Sequence, residues 1–328
     1  MRLKNQLVGF LILSLVLGAG LAFGQDKNEQ PPVTSSRSFQ LSGYTQLGYA
    51  FFDKGVDTFL VRRARLTFSG EIVKNFRFRL QVDGTKSPML IDAQLDIDVK
   101  PYLGFRIGQF YLPFGLETRT SDSELDTILR TQVSDSLAPG RDIGAQGRDV
   151  GAIVLGKYSI VEYMAGVFNG AGINKLDNNK DKDFSARLVL HPTKSLAVGG
   201  SIYDGRYSAT DGAPPVTRDR AGLEALLTVG RFLLKSEYIS GKDAQVSKSG
   251  WYFQGLYNII PKKLQAVARW DTYDKNRDVS LDRNDTLTLG GTWFLSEKTK
   301  VLVNYALYRK EGEGTTNQAL IFQFQAGF

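Results

Sequence analysis

The sequence has no cysteine and only one histidine among its 328 residues. Without cysteine the chain can form no disulfide, no thiolate metal site and no thiol nucleophile, an absence that suits a protein of the oxidising cell envelope. The single histidine, His191, precedes a proline in a predicted short turn. No G-x-S-x-G elbow, phosphate-binding loop, dinucleotide fingerprint or metal-ligand spacing is present. We therefore predict no enzymatic activity, no metal, no cofactor and no nucleic-acid partner.

Long apolar runs are also missing. After residue 24, no stretch approaches the roughly 18 apolar residues that a membrane-spanning helix requires. Mean hydropathy is −0.20, too polar for a helical membrane protein. A β-barrel with a polar inner face and an apolar outer face matches this value, and the 34 glycines, 20 phenylalanines and 14 tyrosines are typical of such strands.

The first residues have the features of an export signal. Arg2 and Lys4 precede an apolar core at residues 7–17, and residues 22–24 form a small-x-small cleavage site. We predict a signal peptide over residues 1–24; an uncleaved helical anchor is the alternative. Residues 25–38 are polar with two prolines and predict a disordered periplasmic tail.

Two neighbouring segments, residues 59–70 and 76–84, alternate with a period of two, which predicts strands with two unlike faces. In the second segment, Phe76, Phe78, Leu80 and Val82 oppose Arg77, Arg79, Gln81 and Asp83. In the first, Leu60, Ala64, Leu66 and Phe68 oppose Val61, Arg63, Arg65 and Thr67. A soluble sandwich would turn the apolar faces to a core, whereas a membrane barrel would turn them to lipid and the arginines to a water-filled lumen.

Arg62 interrupts this pattern because it falls on the apolar face. On the lipid face an arginine costs about 2–4 kcal/mol at the bilayer centre and about 0–1 kcal/mol near the interface. We therefore predict that Arg62 lies near a membrane boundary or at a β-bulge.

Similar segments recur to the C-terminus and total about 16, and the connections between them alternate in length. Short breaks, such as residues 70–75, 100–102 and 191–195, alternate with longer polar ones, such as 169–183, 204–220, 240–249 and 309–317. This is the periplasmic-turn and external-loop asymmetry of outer-membrane barrels. The last segment alternates up to Phe328, and a C-terminal aromatic resembles the signal read by the outer-membrane assembly machinery.

The long stretch 110–147 is the third external connection. Ser121 and Glu124 resemble a capping box, which predicts a short helix from Asp122 to about Val133. Loops of this length in compact proteins are usually functional. Folded inward the stretch would narrow a pore; outside, it would form a lid or a subunit contact.

The arginine-bearing strands, GQFYLPFGLE at residues 108–117 and GRDIG at residues 140–144 together resemble the phosphate-selective porin O and P family. The resemblance implies a trimeric all-β barrel of 16 antiparallel strands, with an inward-folded third loop and a ladder of arginines for anions. Carried over, the ladder maps onto Arg63, Arg65, Arg77, Arg79 and Arg106, with Arg187 and Arg269 as the clear lumenal arginines of the second half. The constriction loop would contribute Tyr111, Glu117, Arg119, Arg130 and Arg141. Tyr111 departs from the lysine that many members carry there.

The arginines have a second interpretation, as structural partners of an acidic row, Asp92, Asp96 and Asp98, on the next strand. If the second strand descends and the third ascends, Arg65 and Arg79 are expected at similar depth. Replacing both by alanine would then lower anion preference without preventing assembly of the barrel.

The sequence thus predicts an outer-membrane porin that lets small anions, phosphate or related oxyanions, diffuse through an arginine-lined lumen. Its expected partners are the outer-membrane lipid bilayer, the anionic solutes, two further copies of the chain and the assembly machinery. The alternatives are a general porin of low selectivity and a structural or adhesive barrel plugged by its third loop.

Overall fold

A computed structural model describes residues 38–208 and 213–328, which form one closed antiparallel β-barrel. The predicted signal peptide, and the predicted tail apart from Ser38, lie outside the described residues. No helix within the described residues is long and apolar enough to cross a membrane.

Strands form most of the described chain. They are β1 (Phe39–Phe52), β2 (Thr58–Val73), β3 (Phe76–Asp83), β4 (Leu90–Lys100), β5 (Leu103–Tyr111), β6 (Arg148–Tyr158), β7 (Val161–Phe168), β8 (Asp183–Thr193), β9 (Leu196–Asp204), β10 (Arg206–Tyr207), β11 (Val216–Val229), β12 (Phe232–Asp243), β13 (Val246–Ile260), β14 (Leu264–Asp274), β15 (Asn284–Phe294), β16 (Lys300–Lys310) and β17 (Gly314–Gly327). Among the described residues one helix, α1 (Gln132–Leu137), lies between β5 and β6. Because β9 and the two-residue β10 both pair with β11, they act as one interrupted strand. Sixteen strands therefore form the wall, which confirms the predicted architecture.

The barrel closes where the last strand meets the first. Tyr44 of β1 lies opposite Gly327 of β17. The backbone N–H of Phe328 donates to the carbonyl of Gly43 at 3.0 Å, so the terminal residue completes the ladder. Closure removes the open edges that a sheet would otherwise expose within a membrane.

The distribution of side chains is inverted relative to a soluble protein. On β2, Leu66 is 48% exposed and Phe68 is 42% exposed, whereas Arg65 is 2% exposed and Thr67 is 6% exposed. The apolar side chains thus form the outer surface, and the polar side chains face the interior. This inversion is what a lipid environment requires of a barrel.

A β-bulge lies at Arg62, as the interrupted alternation predicted. Gln46 of β1 pairs with Arg63, but the next residue, Leu47, pairs with Val61. Residues of β2 that precede the bulge therefore point to the opposite side from the one that alternation assigns to them. Val61 is 63% exposed on the outer surface, and Leu60 packs inside. The assignment of these two residues from simple alternation was therefore wrong. The guanidinium of Arg62 turns inward and donates to the carbonyl of Ile128 at 2.9 Å.

The register of β2 and β3 corrects the expected depth of the arginines. Arg65 lies opposite Asp83, and Arg79 lies opposite Ser69. The two arginines are thus four residues apart along β2, because the tight turn at residues 74–75 and a bulge near Glu71 set the pairing. Arg65 and Arg79 therefore lie at different depths in the barrel and not at the similar depth that was predicted.

The connections alternate in length as predicted, with two exceptions. At one end, the turns span only residues 74–75, 101–102, 159–160, 194–195, 230–231, 261–263 and 295–299. At the other end, residues 244–245 and 311–313 are tight turns where long loops were predicted, because polar residues continue the strands beyond the apolar belt. Similarly, β8 extends to Thr193, so His191 lies in a strand and not in a turn.

Candidate functional site: the third loop and the arginine wall

The third loop (residues 112–147) connects β5 to β6 and bonds to strands around most of the barrel. Tyr111 was expected to belong to this loop but is the last residue of β5. The carbonyl of Asp122 accepts from Gln46 of β1 at 3.0 Å, and the N–H of Ile128 donates to Asn304 of β16 at 2.6 Å. Further hydrogen bonds and salt bridges reach β2, β8, β9, β11, β12, β13, β14, β15 and β17.

The predicted helix at residues 122–133 is absent, and α1 begins ten residues later. Asp122 is used instead in an ionic cluster, since its carboxylate lies 3.2 Å from Arg63, 2.7 Å from Arg65 and 2.8 Å from Arg130. Burial alone would raise the pKa of Asp122, but these arginines hold it well below its usual value. The helix starts where Thr131 Oγ1 can accept the N–H of Ser134, as an N-cap does.

Two apolar clusters fix the loop on different parts of the wall. Leu112, Phe114, Val133 and Leu137 pack with wall residues that include Phe168, Tyr203, Ile239 and Tyr252. Ile128 packs with Ala50, Leu302, Ala319 and Ile321 of β1, β16 and β17. Each fully buried side chain of this size contributes about 1.5–3 kcal/mol, so the loop is held by packing as well as by charge.

One part of the wall has no polar contact with the third loop. Among the described residues, β3, β4 and β7 make no hydrogen bond or salt bridge to residues 112–147. The inward side chains here form cross-strand pairs: Arg77 with Asp98 at 2.7 Å, Arg79 with Asp92 at 3.3 Å and Arg106 with Asp96 at 2.5 Å. The exposed side-chain fractions of the three arginines are 54%, 40% and 19%. Arg77, Arg79 and Arg106, together with Arg187 of β8, are called the arginine wall below.

Arg187 lies beside a cavity of about 200 Å³ at the edge of the arginine wall. Its guanidinium pairs with Glu224 and lies 3.5 Å from Glu162. His191 also lines this cavity, with Nε2 3.6 Å from Glu162.

Arg119 of the third loop is held by backbone carbonyls and not by a carboxylate of the described residues. Its guanidinium donates to the carbonyl of Leu112 at 3.1 Å but makes no salt bridge among the described residues. Burial, together with the positive charges of Arg187 and Arg106, lowers the pKa of Arg119 to about 10, so it stays charged at neutral pH. No direct ion pair neutralises Arg119; Glu162 and Glu224 act on its charge only at longer range.

The remaining residues predicted for the site hold the loop, and the cavity that Arg130 and Arg269 line has a volume of only about 40 Å³. Arg65, Arg130 and Arg269 are each at most 8% exposed. Arg269 donates to Thr127, Glu117 accepts from Thr131, and Arg141 lies 3.1 Å from Asp135. Tyr111 stacks under the guanidinium of Arg148 at 3.6 Å.

Sequence reasoning missed several charged residues of the interior. Arg148 binds Asp92 at 2.5 Å, and Arg220 binds Asp142 of the third loop at 2.8 Å. Arg218 and Arg220 were placed in a long loop, but β11 begins at Val216, so the second half has more lumenal arginines than predicted. The alternation of Arg218 and Arg220 was the available signal.

The two arginines that were expected to act together should therefore behave differently. We expect Arg65→Ala to lower stability, since it removes a buried partner of Asp83 and Asp122. We expect Arg79→Ala to leave stability nearly unchanged and to reduce anion preference, since Arg79 is accessible. Urea unfolding and reversal potentials of both variants would check this; equal stability of the two would contradict the assignment.

Comparison with known structures supports the fold. An anion-selective porin from Comamonas acidovorans superposes with a TM-score of 0.70 at 12% identity, covering 89% of this chain and 100% of that chain. OmpT, an outer membrane protein of Vibrio cholerae, superposes with a TM-score of 0.69 at 11% identity, covering 92% and 100%. The trimer form of OmpT gives a TM-score of 0.65 at 13% identity, covering 89% and 99%.

No curated protein matches the sequence of this chain. The family model for phosphate-selective porins O and P, however, matches residues 39–213 and 202–326, which together span the whole barrel. The chain therefore belongs to the phosphate-selective porin O and P family.

Proposed function

We propose that the protein is an outer-membrane channel for the passive diffusion of small anions, and that the anions pass between the arginine wall and the third loop. The observation that carries the proposal is Arg119, which bonds to the carbonyl of Leu112 and makes no salt bridge among the described residues. A cation that the protein does not neutralise directly is available to a passing anion.

The position of the passage follows from the contacts of the third loop. In a closed barrel, a segment that bonds to strands on opposite sides, as residues 122–132 do, must cross the interior. We infer that the loop fills the side of the lumen next to β11–β17 and leaves a passage along β3–β7 and past Arg187 of β8. Arg77 and Arg79 would lie along this passage, followed by Arg106, Arg119 and Arg187.

Guanidinium groups suit this role because they stay charged and offer planar donors to phosphate or carboxylate oxygens. A series of them lets an anion exchange one partner for the next, and binding must be weak enough to allow release. The cross-strand carboxylates at Asp92, Asp96 and Asp98 moderate the field of the accessible arginines, which keeps each contact weak.

Three further properties are proposed on the same basis. Phosphate or related oxyanions are the preferred solutes, supported by the family description and by the anion-selective relative. A homotrimer is supported by the trimer form of OmpT. Recognition by the assembly machinery is supported by Phe328, which is 61% exposed at the end of β17.

The plugged barrel is the second candidate, favoured by the many bonds between the third loop and the wall. Planar-bilayer recordings of the wild-type protein separate the candidates. The proposal expects discrete current steps, a reversal potential in a KCl gradient that shows chloride preference, and a lower chloride current when phosphate is added. An absence of steps would favour the plug, and a reversal potential of zero would favour a general porin.

A further inference from the structure

The carboxylate of Glu237, in β12, is surrounded by neutral donors and not by cations. Its Oε1 accepts the backbone N–H of Leu116 at 2.6 Å, and its Oε2 accepts the N–H of Glu117 at 2.8 Å. The hydroxyl of Tyr252 donates to the same Oε2 at 2.9 Å. Glu237 is 2% exposed and makes no salt bridge among the described residues. The loop backbone thus forms an anion-binding turn that a wall carboxylate fills.

The sequence of the loop permits this close approach. Gly115 has a φ of +70°, and a Cβ built there would lie 2.5 Å from Glu237 Oε1, so a side chain at this position would be excluded. The N–H of Gly115 donates to Ser201 Oγ at 3.1 Å. Phe114 packs over Gly222, where a Cβ would lie 3.2 Å from its ring. The Pro-Phe-Gly-Leu-Glu segment is therefore fitted to β9, β11 and β12.

The negative charge of Glu237 does not favour anion passage at its position in β12. It lies opposite Glu224 in the β11–β12 pairing, and Glu224 binds Arg187 of the arginine wall. A further negative charge beside an anion passage would reduce anion preference through its field. Its contacts instead fix residues 116 and 117, and Arg119 follows two residues later in the chain.

We infer that Glu237 is a positioning residue: it latches the tip of the third loop to the wall and so holds Arg119 in the passage. The part concerning Arg119 rests on the proposed function, whereas the latch itself is independent of it. The latch has three hydrogen bonds to one carboxylate, and such bonds are stronger than bonds between neutral groups.

Two substitutions that remove the same charge separate latching from charge. In Glu237→Gln one amide oxygen remains as an acceptor, whereas Glu237→Ala leaves none. We expect the alanine variant to show a lower anion-to-cation permeability ratio than wild type, with fluctuating current levels, and the glutamine variant to be closer to wild type. Tyr252→Phe keeps the charge and removes one donor, and it should show fluctuations with a smaller loss of selectivity. If both Glu237 variants instead showed the same raised anion preference with steady currents, Glu237 would act through its charge and the inference would be wrong.

A second readout does not depend on ion selectivity. Thr118 is fully buried and follows Glu117 directly in the chain, and the sequence has no cysteine, so Thr118→Cys provides a single reporter thiol. We expect a charged thiol reagent to label it about tenfold faster or more in the Glu237→Ala background, since losing bonds to a buried charge shifts the loop equilibrium by at least that factor. Glu313→Ala, at a carboxylate whose side chain is 56% exposed, is the matched control and should leave the rate unchanged.

Equal labelling rates with and without Glu237, in barrels that migrate as folded protein on gels, would overturn the latch. A channel without anion preference whose labelling still depends on Glu237 would overturn the proposed function and leave the latch intact.

Discussion

Arg119→Ala is expected to reduce the anion-to-cation permeability ratio by about fivefold or more while the barrel assembles normally. Even in water, two unit charges 4 Å apart interact by about 1 kcal/mol, and about 1.4 kcal/mol corresponds to a factor of ten. A narrow passage with walls of low dielectric constant focuses the field, so the effect should be at least of this size. The substitution also removes bonds to the carbonyls of Tyr111 and Leu112 but no salt bridge, so little stability should be lost.

Reversal potentials in a KCl gradient measure this ratio directly. Arg277→Ala is the matched control, because Arg277 is an exposed arginine in the external loop between β14 and β15, where salt screens it within about 8–10 Å. Arg119→Lys keeps the charge and should retain most of the anion preference. A folded Arg119→Ala channel with the wild-type reversal potential would remove Arg119 from the anion path.

The second large effect is expected from Asp122→Asn, which removes the charge shared by Arg63, Arg65 and Arg130. Asp122 is 6% exposed, and breaking a buried ion pair by neutralising one partner costs about 3–5 kcal/mol. Because Asp83 still binds Arg65, the barrel should form, but the third loop should loosen. We therefore expect a lower urea midpoint and large fluctuations of single-channel current.

The control for this substitution is Asp278→Asn, at an exposed carboxylate in the same loop as Arg277. Urea unfolding in detergent or lipid, followed on gels, reports the stability of each variant, and bilayer recordings report the motion of the loop. If Asp122→Asn unfolded at the wild-type urea concentration and conducted without added fluctuation, Asp122 would not be the anchor of the loop.

Local patterns predicted the barrel because each strand must present an apolar face to lipid at every second residue. The same constraint located the bulge, since Arg62 could not remain on the outer face. Register was not predictable from these patterns: the relative depth of Arg65 and Arg79 depends on a two-residue turn and a bulge near Glu71, which alternation does not report.

The interior was predicted less well because it depends on contacts that are distant in sequence. The capping-box pattern at Ser121 does not start a helix, because Asp122 binds arginines from β2 and from the loop itself. Nothing near Glu237 in the sequence indicates that its carboxylate will meet the backbone of residues 116–117. The cross-strand pairs of Arg77, Arg79 and Arg106 were foreseen because adjacent strands carry opposite charges.

The position of the passage is the central claim, and thiol labelling at two wall positions tests it most directly. Gln94 faces inward on β4, opposite Arg79 in the pairing of β3 and β4, whereas Thr288 on β15 is 4% exposed next to Arg269, which binds the third loop. In single-channel recordings of Gln94→Cys and Thr288→Cys, a negatively charged thiol reagent should reduce the current of the first and leave that of the second unchanged. A block of Thr288→Cys with no effect on Gln94→Cys would show that ions pass on the other side of the loop and would contradict the account.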